Sequence, residues 1–294
     1  MSGFFGYLVF RGLWGFAGLL PEPVMRHLGY GAGYLLSFFQ RNRLAMAERH
    51  QRRILGPQAD ARRAARRVFG YYGRYYAEVF WMRPRRRRRV IERSGVPGAS
   101  YLLEAVAAPP GVILAVGHLG NWEVAGLKAA ALGARVLAVA EALPNERLVR
   151  WFVEMRAMME IDIVLTGRGA RVTDALVQRL EEGKVVALLC DRDLKGTGIP
   201  VTLFGEETTL PAGPLTLACR TGATVLPVGT YFTEGAGHRF DIYPPLSVPT
   251  EGTFEERVQE GTRRLAAALE GLIAAAPEQW HVMVPNWPSD RQAR

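Results

Sequence analysis

"GVILAVGHLGNWEVAGLKAAALG", residues 111–133, changes rhythm half-way along. Its first residues form a short apolar run with β-branched members, the signature of a strand. From Trp122 onward the apolar residues recur at helical spacing. Gly117 and Gly120 permit a tight turn between the two, and Asn121 is a favoured helix N-cap. Strand, turn and helix in this order open a βαβ unit. The same pattern continues outward. Strands are predicted at "RVLAVAE", "IDIVL", "KVVALLCD", "ATVLPVGTYF" and "RFDIYP". Helices are predicted at "NERLVRWFVEMRAMM", at "ARVTDALVQRLEEG" with Gly183 in the favoured C-cap position, and at "FEERVQEGTRRLAAALEGLIAA". The fold class is α/β, an αβα arrangement in which helices flank a central mixed sheet.

Residues 1–95 read differently, as amphipathic helices with Leu, Phe, Tyr and Trp set between arginines. This stretch holds nineteen arginines, no lysine and five acids, a net +14, whereas the rest carries eighteen bases and twenty-three acids, a net −5. The 294-residue chain therefore divides into a basic helical segment, 1–95, suited to membrane association, and an α/β domain, 96–294. Its densest cationic run is "RPRRRRR", 83–89. The plainer reading of the first segment is an arginine-decorated helical cap with Tyr71, Tyr72, Tyr75 and Tyr76 partly in the core. Apolar insertion combined with attraction to anionic lipid favours a peripheral membrane surface. Nucleic acid is not expected, since no binding motif accompanies the arginines. Arg11 interrupts the first apolar run and Arg26 and His27 sit near the second, so no spanning helix is expected. Cys190 and Cys219 lack metal-ligand spacing and read as buried thiols, and no metal site is expected.

His118 and Glu123 lie about 140° apart if both are helical, too far to meet. The strand–turn–helix reading removes that obstacle. His118 then ends the strand and Glu123 stands in the first helical turn, from which its carboxylate can reach back to one imidazole nitrogen and leave the other to take a proton from a hydroxyl. Open α/β sheets place their sites outside the carboxyl ends of their strands, which is where His118 falls. By spacing alone a structural histidine at a sheet end is the commoner occurrence.

"GHLGNWE" resembles the His-x4-Asp/Glu block of the glycerophospholipid acyltransferase superfamily, within it the branch of bacterial lipid A late acyltransferases and phosphatidylinositol mannoside acyltransferases. "CDRDLKGTGIPVTLFGEETTLPAGPLTLACRTGATVLPV", 190–228, and "PEQWHVMVPNW", 277–287, are similar to further blocks of that branch. The resemblance implies His118 as general base with Glu123 as its orienting acid. It adds Asp191 as a residue that supports the histidine from behind or relays its charge, and Asn121, Arg168, Arg192 and Asp193 as substrate-binding candidates. For Asp191 to Asp193 the plain alternative is an ion-paired turn, and for "PAGP", 211–214, an ordinary helix start. Gly167 and Gly169 look like a dinucleotide loop, but Val172 stands where a third small residue belongs.

The implied activity is O-acyl transfer from acyl-CoA, as donor substrate and without a cofactor, to a hydroxyl of a glycolipid. A mannose of phosphatidylinositol mannoside is the first choice of acceptor. The work would be done at the cytoplasmic face of the cell membrane by a peripheral protein with an anionic membrane surface as partner. The nearest alternative is a lauroyl or myristoyl transferase of the lipid A type fed by acyl carrier protein. A rival of another class is a non-catalytic basic protein that binds membrane or nucleic acid.

Overall fold

The computed structural model describes residues 2–140, 145–167, 171–193 and 196–292. Five helices open the chain: α1 (Ser2–Ala17), α2 (Glu22–Leu36), α3 (Arg41–Leu55), α4 (Ala61–Trp81) and α5 (Arg87–Glu92). There follow β1 (Ser94–Gly95), α6 (Ala99–Ala107), β2 (Val112–Val116), α7 (Trp122–Ala131), β3 (Val136–Ala140), α8 (Glu146–Met158), β4 (Asp162–Leu165), α9 (Val172–Glu181) and β5 (Val185–Leu189). The last third contains β6 (Ile199–Leu203), β7 (Glu206–Leu210), α10 (Gly213–Thr221), β8 (Thr224–Phe232), β9 (His238–Ile242), α11 (Phe254–Ala274) and α12 (Pro288–Gln292).

Seven strands form one sheet in the order β1-β9-β8-β2-β5-β3-β4, parallel except where β9 runs against β8. This is the mixed sheet flanked by helices that the sequence implies. Alternate residues of β2 separate two cores. Leu114 and Val116 face α6, α7, α8 and the end of α4, whereas Ile113 and Ala115 face α9, α10 and α11. Tyr75, Val79 and Trp81 of α4 share the first of these cores, so the basic segment is packed onto the sheet. The sequence signal does not reveal the hairpin β6–β7. It closes through Phe204 and Gly205, both at positive φ (50° and 75°), the backbone of a tight two-residue hairpin turn.

Helices α2 and α4 cross with their backbones nearly touching. A Cβ on Gly29 would lie 2.2 Å from that of Ala77, and one on Gly33 would lie 2.1 Å from the Phe69 carbonyl oxygen. Only glycine fits there. Half of the arginines of the 83–89 run, Arg83, Arg86 and Arg87, turn partly inward, whereas Arg85, Arg88 and Arg89 stay exposed. Arg83 donates to the carbonyls of Trp14, Phe80 and Met82 and lies over the Trp14 ring. Arg86 donates to the Trp81 and Gly18 carbonyls and stacks on Trp81. Arg87 pairs with Glu160 and Arg88 with Glu92. Planar, multi-donor guanidinium groups suit this task, and the run clamps α1 and the α1–α2 turn to α4. Cys190 is buried and Cys219 only half-buried.

Candidate active site

Strand register builds the site. Val116, the last residue of β2, pairs with Leu189, the last of β5. Two residues beyond each end stand His118 and Asp191, which meet across the strand tips although 73 positions separate them. His118 Nδ1 lies 2.6 Å from Asp191 Oδ1. An ionised carboxylate only accepts, so Nδ1 carries the proton and donates. Asp191 Oδ2 accepts from the His118 backbone N–H at 2.7 Å and from Trp280 Nε1 at 2.6 Å. Asp191 is fully buried. Burial alone would raise its pKa, but the facing imidazole and these three hydrogen bonds hold it below the usual carboxylate range. The His118 ring is 26% exposed, edge-on to Trp122 at 5.7 Å, and among the described residues Nε2 has no hydrogen-bond partner. That nitrogen is left to act as a base.

Glu123, expected to hold the imidazole, does something else. Its Oε1 accepts from Arg156 Nε at 3.0 Å and Nη2 at 2.9 Å, and from the Tyr75 hydroxyl at 3.3 Å. The turn carries His118 to the tip of β5, and α7 directs Glu123 toward α8 and α4 instead. Burial works against the Arg156 charge, but the Glu123 carboxylate raises its pKa. Asn121 caps α7 by accepting from the Val124 N–H at 3.2 Å, and its amide donates to Glu78 Oε2 at 2.9 Å. Fully buried, it holds the turn and has no face toward a ligand. Glu78 also binds His238 Nε2 at 2.8 Å and Arg74 Nε at 2.9 Å. Although burial opposes it, the two bases draw its pKa down to about 2. Asp193 anchors the start of the hairpin, accepting from the Gly198 N–H at 2.7 Å and the Thr209 hydroxyl at 2.9 Å. Arg192 is half-buried and acts electrostatically, with Arg43, on the Tyr72 phenol. Arg168 lies outside the described residues. The "PAGP" helix starts at Gly213, with Pro214 and not Pro211 in its first turn.

Residues 279–281 complete the site, and no spacing rule exposes them. They run antiparallel to the histidine turn: Gly120 N–H donates to Gln279 O at 3.0 Å, and His281 N–H to His118 O at 2.8 Å. On the other side Thr230 donates its hydroxyl to Leu119 O. Gly120 sits at φ 47° with Thr230 O only 2.4 Å from where a Cβ would be, so the turn requires glycine. His281 is buried against Tyr72, Tyr75 and Trp122, and its Nε2 bonds Gly120 O at 3.0 Å. Desolvation pushes its pKa down to about 3, which keeps it neutral.

A cavity with about 860 Å³ of empty space, mouth included, opens beside this turn. Leu114, Ala187, Val228, Phe240 and Ile242 line it, Val116 and Leu189 end it at the strand tips, and Trp122, Glu123 and Arg156 border it. The apolar wall suits a hydrocarbon chain. Among the described residues no three His, Cys, Asp or Glu side chains gather as metal ligands would.

The chain is 38% identical over 223 residues to the phosphatidylinositol mannoside acyltransferase of Mycobacterium tuberculosis strain CDC 1551 / Oshkosh, covering 74% of this chain and 68% of that protein. To the protein of the same name from Mycolicibacterium smegmatis it is 33% identical over 284 residues, 90% of this chain and 91% of the relative. The lipid A biosynthesis lauroyltransferase of Escherichia coli K12 is 23% identical over 269 residues, 89% and 84% of the two chains. Residues 3–289 match the family described as bacterial lipid A biosynthesis acyltransferase, and with a match across nearly its whole length the chain belongs to that family of acyl-transferring enzymes.

Proposed function

We propose that this enzyme moves a long acyl chain from acyl-CoA to a mannose hydroxyl of phosphatidylinositol mannoside, with His118 as general base. The observation that carries the reading is a carboxylate-bound imidazole in the turn between Val116 and Trp122, both of which line an apolar cavity. The acyl chain occupies the cavity with its thioester carbonyl at the strand tips. Nε2 of His118 takes the hydroxyl proton as the oxygen attacks the carbonyl carbon, and Asp191 stabilises the imidazolium. When the C–S bond breaks, the thiolate takes the proton back, leaving an ester and free CoA. Such a base contributes roughly 10²–10⁴-fold, positioning the rest. The Glu123–Arg156 pair, at the cavity border, fixes α7 against α8 and presents part of a guanidinium near the donor. Trp122, edge-on to His118, and Tyr72, packed on the neighbouring His281, offer flat rings on which a sugar can stack.

The named mycobacterial relatives support a mannoside acceptor over lipid A, since their identity to this chain is well above that of the lauroyltransferase. Membrane association is supported by Leu13, Phe16, Leu19, Leu28 and Leu35 of the first two helices and their turn, all more than half exposed. No helix among the described residues is long and apolar enough to cross a membrane. The test is palmitoyl-CoA turnover with a phosphatidylinositol mannoside acceptor by wild type and His118→Ala. Loss of about 10³-fold in kcat with an unchanged melting temperature is expected. Near-full activity in the variant refutes the mechanism.

A further inference from the structure

Arg83 and Arg86 of the arginine run are spent on internal contacts, while Arg85, Arg88 and Arg89 stay exposed. A second group of cations lies at the other end of the helical segment. Phe38, Arg41, Leu44, Ala45, Arg62 and Arg66 line a cleft between the α2–α3 turn and the start of α4, with about 800 Å³ of empty space including its open side. Arg66 lies across the Phe38 ring at 4.5 Å, and its buried Nε has no hydrogen-bond partner. Arg41 is exposed and has no partner among the described residues. Of the acids near it, Glu48 binds Arg52 at 3.0 Å and Arg62 at 3.5 Å, and Asp60 caps α4 by accepting from the Arg63 N–H at 2.9 Å, so the three arginines of the cleft keep it net positive. Its rim is apolar and unusually bare. Phe39 is 82% exposed and Leu35 61%, with Leu36 and Phe38 close to half exposed.

Guanidinium groups around a hollow match a phosphate, and a bare aromatic and aliphatic rim beside them matches acyl chains. We propose that this cleft binds the phosphate of an anionic glycerophospholipid while the 35–39 turn enters the bilayer. The assignment deepens the membrane-surface reading above and rests on it. It also gives docking a purpose. Arg66 and Tyr72 lie on one helix, about 9 Å apart along its axis. A headgroup held at Arg66 therefore sets how far His118 stands from the bilayer that supplies the acceptor. An acidic carrier protein would also be attracted by arginines, but it has no need of the exposed Leu36 and Phe39.

The experiment compares the full chain with Arg41→Ala/Arg62→Ala/Arg66→Ala in flotation with vesicles of phosphatidylcholine alone, and of phosphatidylcholine doped with phosphatidylinositol. A circular dichroism melt confirms the fold. Wild type should prefer the doped vesicles. The triple variant should lose this preference by roughly five-fold per cation, on the order of 100-fold in all. Its binding to neutral vesicles and its palmitoyl-CoA turnover in detergent micelles should stay unchanged. Phe39→Ser, by contrast, should weaken binding to both kinds of vesicle. A triple variant that keeps the wild-type preference overturns the proposal. So does inorganic phosphate that abolishes the preference, which would make the cleft a free-anion site, or a variant impaired only with acyl carrier protein as donor, which would make it a protein dock. Wild type inactive in micelles would instead sink the catalytic reading and leave the vesicle result standing.

Discussion

Replacing Asp191 by Asn puts the proposed chemistry to its strictest trial, because the amide is nearly isosteric with the carboxylate but offers one acceptor where three donors converge. The His118 backbone N–H and Trp280 Nε1 both point at Oδ2, and His118 Nδ1 at Oδ1. If the amide oxygen serves the first two, its NH₂ faces Nδ1. That nitrogen must then accept, so the ring proton moves to Nε2 and the base is lost. The opposite flip leaves two buried donors facing an NH₂, at about 1–3 kcal/mol each, so the first arrangement wins. A wrong tautomer with intact geometry costs about 10⁴-fold in kcat in the serine-protease triad, equivalent to about 5 kcal/mol of transition-state stabilisation, and a loss of 10³–10⁴-fold is expected here. KM for the acyl donor should change little, since the cavity is untouched. Steady-state kinetics in micelles give the rate, and ¹⁵N chemical shifts of the ring report the tautomer. A variant within about ten-fold of wild-type kcat, or one retaining the proton on Nδ1, would refute the reasoning.

Two further outcomes follow from the buried groups and the cavity. His281 has its pKa lowered from 6.5 to about 3 in the fold, so the unfolded chain binds the extra proton first; its stabilising contribution is complete above about pH 6.5 and declines as pH falls from there toward 3. Between pH 6.5 and 4.5, above the range in which Glu78 titrates, urea unfolding should show a loss on the order of 2–3 kcal/mol that His281→Phe removes, and parallel slopes in the two proteins would count against it. Ala187→Phe, projecting into the cavity, should lower turnover of long acyl donors relative to short ones by about ten-fold in a competition assay read by mass spectrometry, and an unaltered chain-length profile would move the acyl chain elsewhere.

The sheet was legible from "GVILAV", "KVVALLCD" and "ATVLPVGTYF" because buried strands carry an uninterrupted apolar run, and α7 because Asn121 caps it. The β6–β7 hairpin was not, since its turn uses Phe204 in a conformation that side-chain-bearing residues rarely adopt and its strands contain Pro200. Local spacing brought His118 and Glu123 within reach of each other, but could not report that Arg156 and Tyr75 lie ready for the glutamate. Those partners come from α8 and α4, and proximity across elements is a property of the tertiary structure. Asp191 was recoverable only by the resemblance of its block. Trp280 and His281 stood in a recognisable tail, yet their support of the histidine turn depends on an antiparallel contact between segments some 160 residues apart.

Because the pairing of β2 with β5 alone decides that His118 meets Asp191, the two strands act as a ruler whose marks are single residues. A one-residue insertion within β5 would bring Cys190 opposite the imidazole and a deletion Arg192, and either would break the His118–Asp191 pair. The excursion between the strands, running through α7, β3, α8, β4 and α9, bears no such restriction at its loops. Those loops can lengthen or change shape without disturbing the His118–Asp191 pair.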